Sequence, residues 1–532
     1  MIRISQIKLS IDQEKATLPD LIAKKLKIPK ATILDYHIFK ESIDARRGQI
    51  NFVYTVDLTL ANEANILKKK IPNVTITPNL NYQMPAKLNK APTSRPVVIG
   101  FGPAGMYASL LLAQCGYKPI VLERGEAVAK RLKTINKFWQ QGILNPESNV
   151  QFGEGGAGTF SDGKLTTRVK DLRGLKVLQE LVNAGAPPEI CYQAHPHVGT
   201  DLLCNIVVNI RKKIIELGGE IYFNTRVDDF IITGGAIRGV VTNENQTFTS
   251  NHVVLAIGHS ARATFAKLCE HNIAIEAKEL AIGVRIEHPQ TLIDKAQYKE
   301  FAGHPKLGAA DYRLTHQASN GRGVYTFCMC PGGVVVPATS EANLVVTNGM
   351  SQHARAEENA NSAILAQVKL TDFASKHPLA GINFLRQLEA KAFSMGGANY
   401  KAPAQLVADF LANRPSNTLG AVKPSYALGV NLVNLHDLFP KKINDALVEG
   451  IQAFGKSLTN FAINDAILTA IESRSSSPVR ISRDALTLQS VSVSGLYPAG
   501  EGAGFAGGIV SSAIDGLKCA ELLMANFEGG SK

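Results

Sequence analysis

Apolar and polar positions along residues 1–78 follow periods that switch between strand and helix. Alternation predicts strands at 3–10, 32–41, 50–58 and 73–78, and helical spacing predicts helices at 19–27 and 61–70. In the stretch INFVYTVDL, Phe52, Tyr54 and Val56 fall on one face of the predicted strand. The resulting order, βαββαβ, predicts a ferredoxin-like module at the N-terminus.

A different pattern occupies residues 96–124. The apolar run 97–99 precedes the turn GFGPAG at 100–105, a helical stretch over 106–114, and a second apolar run that ends at Glu123. In such a βαβ unit Gly100 permits a tight turn, Gly102 lets a pyrophosphate approach the backbone, and Gly105 allows the helix to pack on the strand. A helix N-terminus favours phosphate, and an acid at this spacing accepts a hydrogen bond from a ribose hydroxyl. The pattern predicts a dinucleotide site.

Further glycine-rich segments follow in chain order. Residues 149–168, NVQFGEGGAGTFSDGKLTTR, present many backbone N–H groups to a ligand. Residues 496–510, LYPAGEGAGFAGGIV, lead into an amphipathic helix predicted over 511–526. Between these segments the pattern predicts strands at 219–223, 225–231, 239–242, 247–249 and 252–258.

The meander that ends in Ala256-Ile257-Gly258, together with the late Gly-Glu segment, resembles flavoproteins of the glutathione-reductase-like FAD superfamily. With FGEGGAGTFSDGKLTTR, HPHVGTD, GHSAR, AIGVRIEHP, GVYTFCMCPGG, GGANYKAPAQ and SSSPVRI, nearly the whole chain resembles the uncharacterised FAD-dependent dehydrogenase family. The resemblance implies FAD as the cofactor, with Val227 at the adenine and Glu501 at the ribityl chain. It also implies that the N–H groups of Gly508 and Ile509 face the flavin.

The expected fold class is α/β: a Rossmann-like FAD-binding domain (GR2-type) with an inserted α+β substrate domain and the N-terminal ferredoxin-like βαββαβ module. The expected domains are 1–91 (basic module and linker), 92–275 (first part of the FAD-binding domain), 276–470 (inserted substrate domain) and 471–532 (last part of the FAD-binding domain). Within the insertion the pattern predicts strands at 281–287, 322–329, 333–337 and 343–346, and helices at 356–368, 381–392, 403–411 and 441–453.

The motifs and the resemblance together give a set of expected FAD contacts. These residues are Gly100, Gly102, Pro103, Ala104, Gly105, Glu123, Arg124, Arg131, Gly156, Gly158, Thr159, Lys164, Val227, Ala256, Gly258, Gly500, Glu501, Gly507, Gly508 and Ile509. No metal-type spacing of cysteine and histidine accompanies them, so no metal site is predicted.

Cysteine and histidine supply two of the four candidate catalytic residues, Cys330 and His197. Cys328 and Cys330 would share one face of a strand, where they form either a redox pair or two buried apolar side chains. His195 and His197 precede a predicted helix and serve either as acid–base groups or to order the turn.

The other two candidates, Arg285 and Arg480, are arginines near the ends of the insertion. Arg285 either clamps a substrate carboxylate or forms an ordinary ion pair with Glu287 or another acid. Arg474 and Arg480 flank a polar turn, an arrangement that suits either anion recognition or bracing of the loop.

Composition narrows the class of protein. The 532 residues are 45% hydrophobic and 19% charged, which indicates a globular chain, and no apolar stretch reaches membrane-spanning length. Seven scattered cysteines suit a reducing, cytoplasmic location. Residues 1–95 hold 16 basic and 8 acidic side chains, a net of +8 out of +12 for the whole chain. The N-terminal module is therefore a distinct basic unit.

The expected function is that of an FAD-dependent oxidoreductase, a dehydrogenase or reductase, acting on an unidentified, anionic small molecule. No second G-x-G-x-x-G follows a strand, so NAD(P)H would act as a diffusing reductant. One alternative is an RNA-associated flavoprotein, similar to a tRNA-modifying enzyme, that uses the basic module. A nucleic-acid partner is less favoured than a plain docking role. The other alternative is a non-catalytic, flavin-bearing regulatory protein.

Overall fold

The computed structural model describes residues 1–88 and 94–529. The predicted boundary between residues 91 and 92 lies outside the described residues. The N-terminal module contains β1 (Ile2–Ser10), α1 (Leu18–Leu26), β2 (Ile33–Asp44), β3 (Asn51–Leu60), α2 (Glu63–Lys68) and β4 (Val74–Ile76). The predicted order of elements is found, and the strands form one antiparallel sheet in the order β2-β3-β1-β4.

The segment that follows the module, residues 79–88, packs against the second region and the last helix of the chain. The Tyr82 hydroxyl donates to Glu521 at 2.6 Å, and the Leu88 N–H donates to the Cys115 carbonyl at 2.9 Å. The module is thus tied to the elements that follow.

A parallel sheet forms the centre of the second region. Its elements are β5 (Val97–Ile99), α3 (Pro103–Gln114), β6 (Ile120–Leu122), α4 (Val128–Gln141), α5 (Arg173–Asn183), α6 (Thr200–Glu216), β7 (Glu220–Tyr222), β8 (Val227–Thr233), β9 (Ala236–Thr242), β10 (Thr247–Thr249), β11 (Val253–Leu255) and α7 (Arg262–Glu270). The sheet order is β23-β11-β5-β6-β7, with β23 (Leu496–Pro498) arriving from the far end of the chain. The strands β8, β9 and β10 form a separate antiparallel sheet.

The elements of the third region are β12 (Ile275–Ala277), β13 (Leu280–Pro289), α8 (Gln290–Tyr298), β14 (Thr315–Gln317), β15 (Gly323–Cys330), β16 (Gly333–Pro337), β17 (Thr347–Ser351), β18 (Asn359–Val368), α9 (Ala380–Met395), β19 (Ala402–Leu406), α10 (Val407–Leu411), β20 (Val430–Leu432), α11 (Lys441–Ser457) and β21 (Ile467–Glu472). The chain ends with β22 (Val479–Ile481), β23 and α12 (Ile509–Gly529). Seven strands form one sheet in the order β14-β15-β18-β13-β21-β19-β20.

Three secondary-structure predictions in this region are wrong. The stretch 356–368, predicted as a helix, contains β18, which lies between β13 and β15 and is buried along nearly its whole length. The predicted helix 403–411 begins as β19 and turns helical only at α10, and the strand predicted at 343–346 is replaced by β17. The predicted boundary at residue 470 falls inside β21, which pairs with β13 and β19 in this sheet.

Candidate functional site

A large cavity of about 1250 Å³ lies where the parallel sheet meets the third region. Its wall includes the residues just after β5, β6 and β11, the edge of a parallel sheet at which nucleotides bind. Cavities that hold one small molecule measure roughly 300–1,000 Å³. This cavity therefore has room for a dinucleotide and a second molecule.

The glycines after β5 serve different purposes. Gly100 has φ +93°, and a Cβ there would collide with the carbonyl of Ala256. A Cβ on Gly105 would collide with the carbonyl of Gly100, so Gly105 is required for α3 to pack against the turn. At Gly102 an added Cβ would meet only the Cα of Gly156, at 3.7 Å, so the protein itself leaves this position open. The first and third glycines shape the turn, and the second leaves space above it.

Glu123, at the end of β6, is 4% exposed and holds the surrounding backbone together. Its carboxylate accepts the N–H of Phe101 at 2.7 Å, that of Gly125 at 2.9 Å and that of Gly153 at 3.0 Å. An ionised carboxylate has about four acceptor positions. Three of them are used within the protein, which leaves about one for a ligand hydroxyl.

The glycine-rich loop after α4 is supported from behind by Arg131. This guanidinium is fully buried and donates to the carbonyls of Asn149 (2.9 Å), Val150 (3.0 Å) and Glu154 (2.6 Å). Burial lowers its pKa to about 10, a range in which it remains protonated at neutral pH. Arg131 therefore shapes the loop and does not reach the cavity.

Most of the expected FAD contacts do line the cavity. They are Gly100, Gly102, Pro103, Ala104, Glu123, Arg124, Gly156, Gly158, Lys164, Val227, Ala256, Gly258, Glu501, Gly507, Gly508 and Ile509. The exceptions are Gly105, Arg131, Thr159 and Gly500, each of which packs behind the wall. Thr159 is 1% exposed, with its carbonyl accepting from Thr200, and the Gly500 N–H donates to Asp515 at 2.7 Å.

Arg285 does not reach the cavity and so cannot clamp a substrate. It is fully buried and donates to Asn361 (2.9 Å) and to the Cys328 carbonyl (2.6 Å), and it forms an ion pair with Glu472 at 3.3 Å. Its acid is Glu472, brought from β21, and not the neighbouring Glu287, whose carboxylate bonds instead to Ser425 and Asn359. All its donors face protein atoms.

The cysteine pair sits at an irregularity of β15 that opens onto the cavity. The register of β15 against β18 shifts between Phe327 and Cys330, and Cys328 has φ +41°, a conformation that non-glycine residues rarely adopt. Both cysteines line the cavity and both are free. Cys330 donates to the Cys328 carbonyl at 3.2 Å, and burial raises the pKa of its thiol. The buried thiol is therefore protonated at neutral pH.

Of the two histidines in AHPHVGTD, His195 lines the cavity and His197 does not. His197 stacks on His353 at 5.2 Å, and burial, aided by the Arg355 charge, lowers its pKa to about 4. His195 instead lies 3.4 Å from a carboxylate oxygen of Asp311, and this partner raises its pKa. The histidine suited to exchanging protons near neutral pH is thus His195, which corrects the expectation for His197.

The two arginines of the polar turn also differ in position: Arg474 lines the cavity and Arg480 does not. Arg480 is 45% exposed and lies outside the cavity wall, with Glu276 4.0 Å away. Arg474 lines the cavity and is held by Ser340 (2.6 Å) and Glu389 (3.3 Å). Arg480 therefore has no place at the site as this structure shows it.

Sequence reasoning missed several acid–base residues of the wall, among them His259, Asp311 and Glu472. His259 lies 3.4 Å from Glu501, and its position just after Gly258 in the GHSAR motif was a usable signal. Asp311 lies between α8 and β14, in a stretch without periodicity, so nothing in the sequence marked it.

Within the described ranges, no three histidine, cysteine or acidic side chains gather into a metal site. No helix there is both long and apolar enough to cross a bilayer.

In a comparison with known proteins, this chain is similar in sequence to an uncharacterized protein of Clostridium beijerinckii. The two are 50% identical over 530 residues, which is 99% of each chain. This chain belongs to the family of that protein. Residues 279–475 match the family model described as FAD-dependent protein, C-terminal domain-like, and residues 1–59 match a domain of unknown function, DUF8436.

Similarity to solved structures is weak. L-proline dehydrogenase from P. horikoshii is 13% identical, with 82% of this chain and 95% of that chain covered at a TM-score of 0.32. Glycine oxidase from Bacillus cereus is 11% identical, with 82% and 96% covered at a TM-score of 0.31. The halogenase PltM is 10% identical, with 82% of this chain and 70% of that chain covered at a TM-score of 0.40. These likenesses do not establish an activity for this chain.

Proposed function

We propose that this protein is an FAD-dependent oxidoreductase whose cavity holds FAD along the edge of the parallel sheet and a small substrate under the inserted region. The observation that carries this proposal is the joining, in one wall, of the turn after β5, the start of α3 and the start of α12. Two helix N-termini in one cavity favour a ligand with negative charge at two places. A pyrophosphate and the pyrimidine edge of a flavin supply such charges.

Bare backbone in the wall supports the fit. A Cβ added to Gly258 or Gly507 would meet no protein atom within 4 Å, and one added to Gly102 would meet a single atom at 3.7 Å. All three line the cavity, so ligand atoms can approach the peptide groups directly. Glu123 retains acceptor capacity for a ribose hydroxyl. The match of residues 279–475 to the FAD-dependent family model supports the same cofactor. The GR2-type arrangement is part of this proposal.

When bound, FAD supplies hydride chemistry, and the protein supplies position and electrostatics. Gly507, Gly508 and the start of α12 would stabilise negative charge at the flavin pyrimidine edge. The Lys164 ammonium donates to the Met329 carbonyl, which fixes the cysteine-bearing bulge beside the cavity. Arg355 and Asp162 form an ion pair at 2.6 Å, so they brace the wall rather than offer charge to a ligand.

We propose an anionic substrate because two arginines of the wall are left without an acid. Arg168 and Arg313 both line the cavity and are exposed. Neither has an ion-pair or hydrogen-bond partner among residues 1–88 and 94–529. The other arginines of the wall are paired with protein groups, as Arg124 is with Glu147 at 2.8 Å. The two parallel N–H donors of a guanidinium that has no protein partner suit a carboxylate or phosphate of a ligand. This assigns to Arg168 and Arg313 the role first expected of Arg285 and Arg480.

The experiment is an anaerobic reduction screen on the purified holoprotein. The flavin should be released on denaturation as FAD. Its visible absorbance should bleach with NADH, NADPH or one of a panel of small hydroxy and amino carboxylates. The variant Arg168→Gln/Arg313→Gln should raise the substrate concentration for half-maximal bleaching about tenfold or more while FAD content is unchanged. Bleaching by dithionite alone would leave a non-catalytic flavin carrier as the better account, and absence of flavin would contradict the proposal.

A further inference from the structure

His195 and Asp311 come from two separate segments of the cavity wall, and the N-terminal module contacts both. On the first segment, the Glu41 N–H donates to the Tyr192 carbonyl at 2.8 Å, and the Ala194 N–H donates to the Glu41 carbonyl at 2.8 Å. These bonds bracket Gln193, which forms a parallel bridge with Glu41 at the outer edge of β2. His195 is the next residue but one.

The side chains around this bridge strengthen it. Lys15 Nζ lies 2.8 Å from a Glu41 carboxylate oxygen and 5.4 Å from the centre of the Tyr192 ring. It also lies 5.9 Å from the ring of Tyr54, a core residue of the module. The contact with Tyr192 joins the segment before His195 to the module, and the other two contacts hold Lys15 in place for it.

The second segment contacts the module through both apolar and charged side chains. Tyr298, Phe301 and Leu307 pack against the module's hydrophobic core. Lys306 Nζ donates to the carbonyls of Ile11 at 2.9 Å and Gln13 at 2.8 Å, and lies 2.8 Å from Glu14. Asp311 follows five residues after Lys306, so its backbone is anchored to the same module as that of His195.

We propose that the N-terminal module is a structural part of the cavity, which sets the His195–Asp311 geometry by holding the two segments that carry the pair. The side-chain atoms of the pair lie 3.4 Å apart, and the charged groups that face it are Lys164 and Arg355. His195 is 73% exposed, so only its segment and Asp311 restrain it. The module residues are positioning residues that act through the pair.

The proposal rests on the proposed function in one respect, that the pair faces the substrate. A protonated His195 would add a positive charge to the cavity wall that also carries Arg168 and Arg313, and a neutral His195 would accept a proton from the ligand. The module would then tune the pH at which the site changes between these states. Residues 1–59, which match a domain of unknown function, would then have a role in the cavity that does not depend on the net charge of the module.

The test is a histidine-labelled NMR titration of the full-length protein, with the His195 signal assigned by its loss in His195→Gln. In the wild type the midpoint should lie above the ordinary value of about 6.5, because Asp311 favours the protonated ring. Asp311→Asn should lower it. Lys306→Ala/Leu307→Ser, which removes docking contacts far from the pair, should lower it in the same direction. Lys295→Ala, an exposed lysine on α8, should leave it unchanged.

Hydrogen exchange at Ala194 reports docking in the same samples, because its N–H donates to Glu41. Faster exchange together with a lowered His195 midpoint in the docking variant supports the proposal. Faster exchange with an unchanged midpoint contradicts it, since the module would then dock without setting the pair. Unchanged exchange also contradicts it, because the contacts of Lys306 and Leu307 would then not be needed to keep the module docked at Ala194. Titration with and without flavin separates this result from failure of the proposed function.

Discussion

The carboxylate of Glu123 accepts the backbone N–H of Gly153 at 3.0 Å, and so joins the end of β6 to the glycine-rich loop. The same carboxylate accepts the N–H of Phe101 in the turn after β5. Two parts of the cavity wall that are 52 residues apart in sequence are thus fixed to one buried side chain. The acid expected to bind a ribose also builds the site that would bind it.

Replacing Glu123 by Ala should therefore reduce both stability and affinity for FAD. Three buried or partly buried N–H groups lose their acceptor, and one such loss costs about 1–3 kcal/mol. The FAD dissociation constant should rise at least about tenfold. Urea unfolding of the apoprotein and titration with FAD measure the two effects. Glu244→Ala, an exposed acid in the β9–β10 turn, is the control. An unchanged stability would contradict the bracing role.

Arg285 and Glu472 form an ion pair inside the protein, and this predicts a thermodynamic pattern rather than a substrate effect. Arg285→Met alone should destabilise by about 3–5 kcal/mol, because it leaves Glu472 buried without its partner. The double variant Arg285→Met/Glu472→Leu should recover part of that loss. Denaturant unfolding of the wild type, Arg285→Met, Glu472→Leu and the double variant gives the coupling energy. A stable Arg285→Met with a raised substrate KM would restore the substrate-clamp interpretation.

Glu389 predicts the pH dependence of stability. Burial raises its pKa, but the guanidiniums of Arg474 and Arg262 outweigh this and lower the pKa to about 2. A carboxyl depressed in the folded state stabilises the protein above its unfolded pKa of about 4.3, and this stabilisation is lost as the pH falls. The wild type should be more stable than Glu389→Gln at pH 7. The difference should shrink progressively between about pH 4.5 and pH 2.

Unfolding at a series of pH values measures that difference directly. Glu357→Gln, which replaces an exposed acid, should show no such trend relative to the wild type. A constant difference between wild type and Glu389→Gln down to pH 3 would mean that Glu389 is not held ionised by the two arginines.

The cysteine pair should not store electrons. Burial raises the pKa of the Cys330 thiol, and the protonated form is a poor nucleophile. Anaerobic titration of the oxidised holoprotein should therefore consume two electrons per flavin in the wild type and in Cys328→Ser/Cys330→Ser alike. Uptake of about four electrons by the wild type and two by the variant would make the pair redox-active and overturn this assignment.

The sequence predicted the parts of the fold whose residues carry local signals. The turn at 100–105 and the strands around it were predictable because each glycine answers a backbone requirement within the unit. The stretch that forms β18 was not, because its alanines and leucine suit a helix and a run buried on both faces shows no period of two. Tertiary pairing with β13 and β15 decides its structure.

The positions of the candidate catalytic arginines could not be predicted from the sequence for a related reason. Nothing near Arg285 in sequence shows that Glu472, 187 residues later, would take its charge. Similarly, Arg474 and Arg480 look equivalent around their turn, yet Arg474 faces inward at Glu389 and Arg480 lies on the antiparallel pair β12–β22. Motif glycines act through their own backbone and were placed well, whereas charged side chains depend on partners that only the fold supplies.

The measurement that tests the central claim most directly is the affinity of the Gly102→Ala apoprotein for FAD. Gly102 has φ −78°, which alanine adopts freely, and the added Cβ would meet only one protein atom, at 3.7 Å. The apoprotein should therefore keep its stability, as Gly308→Ala should in open surroundings. The methyl group would occupy the pyrophosphate position, so we predict that calorimetric titration shows a dissociation constant raised about 100-fold or more. Wild-type affinity for FAD in a folded Gly102→Ala protein would contradict the placement of FAD at this turn.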